Sequence, residues 1–596
     1  MLAEPSVLDW QGWLTLFTCG AVLLTLATTR LTPDLVLVAA LVLLTVTGIL
    51  APDQALAGFA NPGLITVAAL FVVAAGVQNS GGVDAIVGRV LGRPKSYRGA
   101  LTRLMLPVST MSGFLNNTPV VATMIPAVAR WSKQIDVSPS RLMIPLSYAS
   151  IFGGTLTLIG TSTNLVVNGQ FQALTGRDGF NMFDITPVGL GVAVAGFLIL
   201  LLTAKRLLPE RPSVSEQFAN RREFTFEVAV AADGPLVGLS IQQAGLRHLG
   251  RIFLAEIERQ GGIITAVAPE ERLQAGDRLV FVGETDAIVD VLRINGLVAS
   301  DSNTPVIEKD MAERRLVEAV VSPVCDGIGQ TLRDGRFRDR YGAVVLAVNR
   351  NGESIHGNLG SITLKAGDVL LLEARSPFIT RQRHLRDFLM INDLNEQRPD
   401  HSKTGVALGI LVTMVALASF GLTSMLNAAL LAAIAMVAAR CLTMAEARRS
   451  LDLTVIVTIA ASFALGNALQ VSGAAAWIGS GVLILADGNP LLLLVLTFFA
   501  VSLLTETITN NAAALIMLPV VLSMTHALGL NPEPYVIAVM IAASASYATP
   551  LGYQTNLMVF GPGGYRFTDF MRIGIMMNVV AGIVTIILVP LVWPLT

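Results

Sequence analysis

The sequence predicts an α-helical polytopic membrane protein built as an inverted repeat, each half holding five membrane-spanning helices and one re-entrant hairpin, with a cytoplasmic α/β insert of two tandem small domains. Three observations predict it. First, 53% of the 596 residues are hydrophobic and only 14% are charged, with a mean hydropathy of +0.64, whereas soluble domains carry about 25% charge. Second, long apolar stretches within about 11–207 and 404–596 carry almost no charge, while the stretch between reads as soluble sequence. Third, two polar motifs of the first membrane half recur in the second at an almost constant offset.

A spanning helix needs about 20 apolar residues. Ten candidates run near 11–29, 34–50, 62–79, 142–173, 186–207, 404–421, 423–440, 453–472, 534–562 and 573–595. Two further apolar stretches, 99–130 and 489–527, are interrupted by polar residues and read as hairpins that enter and leave on one side. The domains expected are therefore membrane repeat 1 over 1–207, two small domains over 208–300 and 301–403, and membrane repeat 2 over 404–596. The acidic start, Met1 to Trp10, lacks the basic region and cleavage site of a signal peptide.

Orientation follows the basic loops. Arg30, Arg89, Arg93, Lys95, Arg98, Arg130, Lys133, Arg141, Lys205, Arg206, Arg440, Arg448, Arg449, Arg566 and Arg572 fall on one side if both interrupted segments re-enter. That side is read as the cytoplasm, which places the insert inside and both termini outside. The opposite loops, around 51–61, 422, 473–488 and 525–533, contain no Lys or Arg, and 174–185 contains only Arg177.

The repeat is read from residues. Asn116-Asn117-Thr118-Pro119 through Pro126 overlays Thr509-Asn510-Asn511-Ala512 through Pro519 at a shift of 393, which also brings Ser112 onto Thr505. Gly160-Thr161-Ser162-Thr163-Asn164-Leu165 overlays Gly552-Tyr553-Gln554-Thr555-Asn556-Leu557 at 392. Five crossings plus a hairpin are odd in crossings, so the second copy is inverted. Inverted repeats with broken helices mark secondary transporters, with the site near the midplane at the repeat interface.

Polar, helix-breaking sequence at membrane depth is tolerated where it is buried in protein or lines a wet cavity. Each tip here precedes an apolar helix whose N-terminal N–H groups attract an anion without a lysine or arginine, and Pro119 fits the first turn of such a helix. Amide and hydroxyl oxygens of Ser112, Asn117, Thr505 and Asn510, with carbonyls near Gly160 and Gly552, suit a hard cation such as sodium. Packing of helices through small polar residues explains one such pair, but poorly explains four matched elements.

The paired tips Asn116-Asn117-Thr118 and Thr509-Asn510-Asn511 resemble the twin Ser-Asn-Thr motifs of the divalent anion/sodium symporter family, and Thr505-Glu506 with the two Gly-to-Asn loops sits where that family breaks its helices. The resemblance covers both membrane halves. It implies one sodium site from Ser112, Asn116, Asn117 and Gly160 and another from Thr505, the Ile508 backbone, Asn510 and Gly552. It also implies a substrate held by Asn117, Thr118, Asn510 and Asn511, flanked by Ser162, Thr163, Gln554 and Thr555. A dimeric scaffold and an elevator motion of the hairpin-bearing domain come with it. The chain departs from the dicarboxylate carriers, whose loops have paired prolines before the asparagine where this chain has Ser162-Thr163 and Gln554-Thr555. The extra donors suit a compact tetrahedral oxyanion, sulfate first; selenate, molybdate and phosphate, and the planar bicarbonate, stay open as alternatives. Glu506 is the only carboxylate inside a hairpin and a candidate for proton coupling in place of sodium. His248, His356, His384, His401 and His526 all avoid the middle of an apolar span.

The insert carries its own repeat. Gly238-Leu239, Arg259 and Gly276-Asp277 recur 91 residues later as Gly329-Gln330, Arg350 and Gly367-Asp368, with alternating β-like runs at 251–257 and 343–348. The Leu-x-x-Gly-Asp element resembles the TrkA-C domain of potassium-conductance regulators, which pairs across subunits and in some relatives binds a nucleotide or cyclic dinucleotide. A regulatory role is implied, set against a purely dimerising one. The Gly-Asp turns read as fold-determining, and 296–309 reads as a linker.

Other classes fare worse. No Thr-Val-Gly-Tyr-Gly carbonyl ladder marks a potassium pore, although a cation transport protein bearing regulatory domains would account for the insert. No nucleophile-base pair or metal cluster at membrane depth marks an enzyme, so none is expected, nor any cofactor beyond coupling ions. Carriers of dicarboxylate or bicarbonate, and an arsenite-type exporter, share the broken-helix pattern. Cys19, Cys325 and Cys441 lie far apart without metal-ligand spacing and read as free thiols.

Overall fold

The computed structural model describes residues 8–29, 31–82, 91–94, 96–210, 225–231, 234–246, 252–259, 262–265, 267–283, 294, 296–299, 314–322, 325–350, 353–355, 359–375, 387–393, 403–550 and 552–596. Arg30, Arg89, Lys95, His248, His356, His384 and His401, and residues 300–309 of the expected linker, lie outside them. Two compact units form: Met1–Glu210 with Arg398–Thr596, and Arg211–Gln397.

The first unit is helical. Its first half runs α1 (Trp10–Thr28), α2 (Pro33–Val46), α3 (Pro52–Leu56), α4 (Pro62–Asn79), α5 (Tyr97–Ser112), α6 (Asn117–Gln134), α7 (Met143–Gly154), α8 (Ser162–Thr175) and α9 (Thr186–Leu207). Local chemistry sets these starts: Asp9, Asn61 and Ser96 cap α1, α4 and α5 through their side-chain oxygens, and Pro33 and Pro62 occupy first-turn positions where a missing N–H is harmless. Among the described residues, six helical stretches are long and apolar enough to cross a membrane, and shorter apolar helices accompany them.

Two stretches expected as single spans are broken. Residues 142–173 form α7 and α8, with the backbone irregular over 155–161. The later stretch 534–562 divides in the same way. Asparagines make each break tenable. Asn164 Nδ2 donates to the Gly154 and Thr157 carbonyls at 3.2 and 3.1 Å, and Asn556 Nδ2 donates to those of Ser546 and Thr549 at 2.9 and 3.1 Å. These are the same bonds 392 residues apart, and they satisfy carbonyls that the interrupted helices leave unpaired. Hydropathy averages over such a break because its flanks are rich in apolar residues.

The last helix of each half presses on a break through a glycine. A Cβ on Gly189 would lie 1.9 Å from the Thr155 carbonyl oxygen, and one on Gly574 would lie 2.1 Å from that of Tyr547. Gly189→Val is therefore expected to lower the melting temperature of the detergent-solubilised protein, at a cost of roughly 1–3 kcal/mol or more. Gly20→Val, at a position with nothing within 4 Å, should leave melting unchanged.

In the second unit, β1 (Thr225–Val230), β2 (Ile252–Arg259), β3 (Gly262–Thr265), β4 (Arg278–Gly283) and β5 (Leu297–Ala299) make one antiparallel sheet in the order β3-β2-β4-β1-β5. A second sheet comprises β6 (Arg314–Val321), β7 (Ala343–Arg350), β8 (Glu353–Ser354), β9 (Val369–Arg375) and β10 (Phe388–Asp393), ordered β10-β6-β9-β7-β8. Renumbered within each module, the two orders are identical. A short helix, α10 (Phe337–Tyr341), precedes β7. The expected linker is partly strand, since Leu297–Ala299 pairs with β1. The repeated Arg and Asp prove to be partners. Arg259 meets Asp277 at 2.8 Å and Arg350 meets Asp368 at 2.7 Å, and each Asp also accepts a backbone N–H from its own turn, that of Gln274 or Lys365. The bond from Asp277 raises the Arg259 pKa above its ordinary value. Gly276 and Gly367, at φ 80° and 81°, make the turns that present these carboxylates.

Asp368 is fully buried and Arg350 a quarter exposed, so Asp368→Ala is expected to cost about 3 kcal/mol and to open residues 314–393 to limited proteolysis of the full-length protein. Asp326→Ala, which removes an exposed pair with Arg340, should cost under about 1 kcal/mol and leave the digestion pattern unchanged.

The second helical half runs α11 (Thr404–Ser419), α12 (Met425–Ala438), α13 (Met444–Ser450), α14 (Leu453–Val471), α15 (Ala474–Ala486), α16 (Pro490–Thr505), α17 (Asn510–Leu528), α18 (Glu533–Ser544), α19 (Gln554–Phe560) and α20 (Phe567–Val592). The stretch 473–488, expected as a loop, is the apolar helix α15, bracketed by Gly473 and Asp487 in the left-handed region at φ 73° and 47°. Basic-residue counting registers where charge is missing, not whether the segment between is helical.

Candidate functional site

The site lies where four chain interruptions meet: the tips between α5 and α6 and between α16 and α17, and the breaks between α7 and α8 and between α18 and α19. The outer ends of the first helix pair are held together, since Tyr97 Oη donates to the Arg141 carbonyl at 2.9 Å and Trp131 Nε1 to that of Gly92 at 2.7 Å. Each tip is a few residues long, so the second helix opens with unpaired N–H groups facing the breaks.

Two oxygen clusters form at the tips, related by the 393-residue offset. Ser112 Oγ donates to Asn117 Oδ1 and lies 2.9 Å from Ser150 Oγ. Thr505 Oγ1 lies 2.8 Å from both Asn510 Oδ1 and the Ala543 carbonyl oxygen. The 392-residue offset of the breaks puts Ala542 at the position of Ser150, so the carbonyl of the adjoining Ala543 serves one cluster where a hydroxyl serves the other. Gly160 and Gly552 close the clusters from the breaks. A Cβ on Gly160 would lie 3.0 Å from the Ser112 carbonyl oxygen, and one on Gly552 would lie 2.9 Å from that of Thr505. Asn116 and Thr509 cap α6 and α17 without a side-chain cap bond, and Ile508 is buried beside the second cluster. Neutral oxygens gathered this way suit a hard monovalent cation.

Between the clusters, each tip reaches the opposite half's break. Thr118 Oγ1 donates to Gln554 Oε1 at 3.0 Å, and Asn511 Oδ1 accepts from Thr163 Oγ1 at 3.0 Å and from Ser162 Oγ at 3.4 Å. The Thr118–Gln554 and Asn511–Ser162 pairings correspond under the repeat. Thr163, Thr555 and Asn117 are buried, while Gln554 is exposed and Thr118, Ser162, Asn510 and Asn511 are partly so. We call this gathering of residues the chamber; it runs from a buried floor to an exposed rim. Ser147 Oγ ties the floor together, 2.9 Å from Thr555 Oγ1 and 2.7 Å from Asn556 Oδ1.

Glu506 stands apart from the chamber residues. Its Oε1 accepts the Ala548 N–H and Asn578 Nδ2, and its Oε2 accepts the Thr549 N–H, all at 2.9 Å. The carboxylate thus ties the second hairpin to the second break and to α20. Its repeat counterpart is Gly113, where only the Thr157 hydroxyl reaches back, to the Gly113 carbonyl.

Every residue proposed from sequence for the site lies in this region. Several others there were not anticipated. Ser147 and Ser150 have no polar counterpart under the repeat, and Asn578 lies outside the two matched motifs, so comparing the halves could not single them out. Asn164 and Asn556 do recur and carried a signal. Tyr553, the N-cap of α19, accepts a bond from Asn117 Nδ2 and lies 3.3 Å from Thr161 Oγ1, joining the second break to the first tip and the first break.

Comparison with known proteins adds independent findings. The chain matches a family model described as citrate transporter over residues 23–517 and 428–595. It is 36% identical over 93% of its length, and 97% of the relative's, to a Chlamydomonas reinhardtii protein named as a sulfur deprivation response regulator. It is 35% identical to an uncharacterized transporter of Synechocystis sp., covering 93% of this chain and 92% of that one. It is 26% identical to a protein of C. reinhardtii named sodium/sulfate cotransporter 2, covering 96% and 89% of the two chains.

Proposed function

We propose that this chain, which belongs to the citrate transporter family, is a sodium-coupled symporter that imports a small divalent oxyanion, sulfate in the first place. Family membership makes it a multi-pass membrane transporter, not a member of an enzyme family. The observation that carries the finer reading is the arrangement of contacts: two tips, each bonded to the opposite break, bringing together hydroxyls, amides and helix N-termini beside two neutral oxygen clusters. A relative named for sodium and sulfate supports the pairing of ion and substrate.

In this reading one sodium ion binds at Ser112, Asn116, Asn117 and Gly160 and a second at Thr505, the Ile508 carbonyl, Asn510 and Gly552. Each replaces hydroxyl-to-amide bonds within its cluster and so orders a tip. The oxyanion then binds between the α6 and α17 N-termini, held by Asn117, Thr118, Asn510 and Asn511 and flanked by Ser162, Thr163, Gln554 and Thr555. Positive dipole ends and neutral donors hold the anion without a fixed counter-charge that would trap it. The hairpins re-enter the membrane, the second half is inverted relative to the first, and the hairpin-bearing domain moves as an elevator within a homodimer. Residues 208–403 are cytoplasmic, both termini lie outside, and the two modules are TrkA-C-like regulatory domains, responsive to a nucleotide or cyclic dinucleotide. Glu506 braces the second break instead of carrying a coupling proton.

The test is radiolabelled sulfate uptake into proteoliposomes with and without an inward sodium gradient, with succinate, bicarbonate, selenate and arsenite as competitors. Sodium-driven sulfate accumulation is expected. Accumulation driven by a proton gradient alone, or of succinate in place of sulfate, refutes the coupling ion or the substrate respectively.

A further inference from the structure

We infer that Tyr553 sets the size limit of the anion: its phenol fills the half of the chamber that a longer dianion would need and offers a neutral donor to a compact one. The inference rests on the oxyanion reading above. Under the 392-residue offset the counterpart of Tyr553 is Thr161, and the surrounding frame matches. Gly552 matches Gly160, Asn556 matches Asn164, and both asparagines make the same two bonds to their own break. The N-cap residues share extended backbone as well, φ −132° and ψ 134° at Tyr553 against φ −137° and ψ 146° at Thr161. Two backbones arranged alike thus present side chains of very different reach. The short one stops at its own break, while the long one crosses to the other half of the protein.

What the phenol meets there defines its role. Asn117 Nδ2 donates to Tyr553 Oη while Asn117 Oδ1 accepts from Ser112, so Tyr553 fixes which end of that amide faces the oxygen cluster and which faces the chamber. A phenol has one proton to give. With Asn117 as donor, that proton is left for another acceptor; Thr161 Oγ1 lies 3.3 Å away, a long contact that an anionic oxygen entering between them takes over readily. Tyr553 is 8% exposed, with the exposed Gln554 and the buried Thr555 beside it. Its hydroxyl meets Asn117, one of the proposed substrate contacts, so the ring brings its bulk up to that contact, and bulk there excludes a second carboxylate more effectively than it excludes the oxygens of one tetrahedral centre. Pocket bulk and a buried donor together discriminate through sterics and through unpaired polar groups.

The experiment compares wild type with Tyr553→Phe and Tyr553→Thr, the latter restoring the residue type of the first repeat, in the same proteoliposomes. Sulfate KM and Vmax are measured under a sodium gradient, with succinate as competitor, and each variant's melting temperature and gel-filtration profile are recorded. Tyr553→Phe is expected to raise the sulfate KM about 5–10-fold with Vmax within about twofold, the loss of one hydrogen bond at retained bulk. Tyr553→Thr is expected to let succinate compete at concentrations within about tenfold of sulfate, where wild type resists it. Folded variants that both keep the wild-type sulfate KM and the wild-type resistance to succinate overturn the inference while leaving the oxyanion reading intact. Wild-type protein that carries succinate in preference to sulfate overturns both.

Discussion

Asn117→Ala and Asn510→Ala are each expected to reduce sodium-driven sulfate uptake by about 100-fold or more, with the protein still folded and monodisperse. The size follows from how many roles one side chain holds. Asn117 accepts from Ser112 through Oδ1 and donates to Tyr553 through Nδ2, so alanine removes a cation-facing oxygen, a chamber-facing donor and the orientation of the phenol together. Losing one bond costs about 1 kcal/mol, and stranding a buried partner costs more. Two bonds to buried partners lost together with one ion ligand reach about 3 kcal/mol, or roughly 100-fold in Vmax/KM. Asn510 accepts from Thr505 at the corresponding place in the second half. The two variants should differ in sodium dependence: Ser112 and Thr505 each keep a second partner, Ser150 Oγ and the Ala543 carbonyl, but Asn117→Ala also releases the Tyr553 phenol, so the second cluster keeps more of its form than the first. Raising sodium should recover part of the Asn510→Ala deficit and less of the Asn117→Ala deficit. Unchanged uptake in both variants would remove the tips from the site.

The parts of this arrangement that repeat were legible in the sequence, and the parts that do not were hidden. Offsets of 393 and 392 residues brought Asn117 onto Asn510 and Ser162-Thr163 onto Gln554-Thr555, and the structure gathers these residues around one chamber. The breaks themselves were harder to see. Leu142 to Phe171 is buried nearly throughout, so no polar face marks where α7 stops, and its end shows only in the bonds Asn164 returns to Gly154 and Thr157. Tyr553 escaped notice because its counterpart is a threonine, which made the pair look like unmatched filler between matched glycines and asparagines. In the insert the same logic ran in the other direction. Arg259 with Asp277 and Arg350 with Asp368 recur because each pair holds a Gly-Asp turn against the sheet, and position alone could not reveal that the two repeated residues touch.

Glu506 is where the halves differ most, and Glu506→Gln is expected to lower Vmax at least tenfold while leaving the sulfate KM and the pH profile of the residual uptake unchanged. Glutamine keeps the shape but offers one oxygen where the carboxylate offers two. If that oxygen stays with Ala548 and Asn578, the new NH₂ faces the Thr549 N–H, donor against donor, and the break loses one of the bonds that hold it to the hairpin. A buried N–H left without an acceptor costs about 1–3 kcal/mol, enough to let hairpin and break move separately, and a domain that no longer moves as one body slows translocation more than binding. The chamber residues are untouched, which is why KM is spared. The pH readout separates a brace from a proton carrier: a coupling carboxylate made neutral and fixed would abolish any dependence of uptake on an imposed proton gradient, whereas a brace made weaker changes the rate alone. Asn578→Ala supplies the companion measurement, because it removes one donor to Glu506 and the acceptor of the Tyr547 N–H without touching a titratable group. Its Vmax should fall in parallel with that of Glu506→Gln. A variant pair that diverges, with Glu506→Gln alone losing the response to a proton gradient, would return Glu506 to the coupling path.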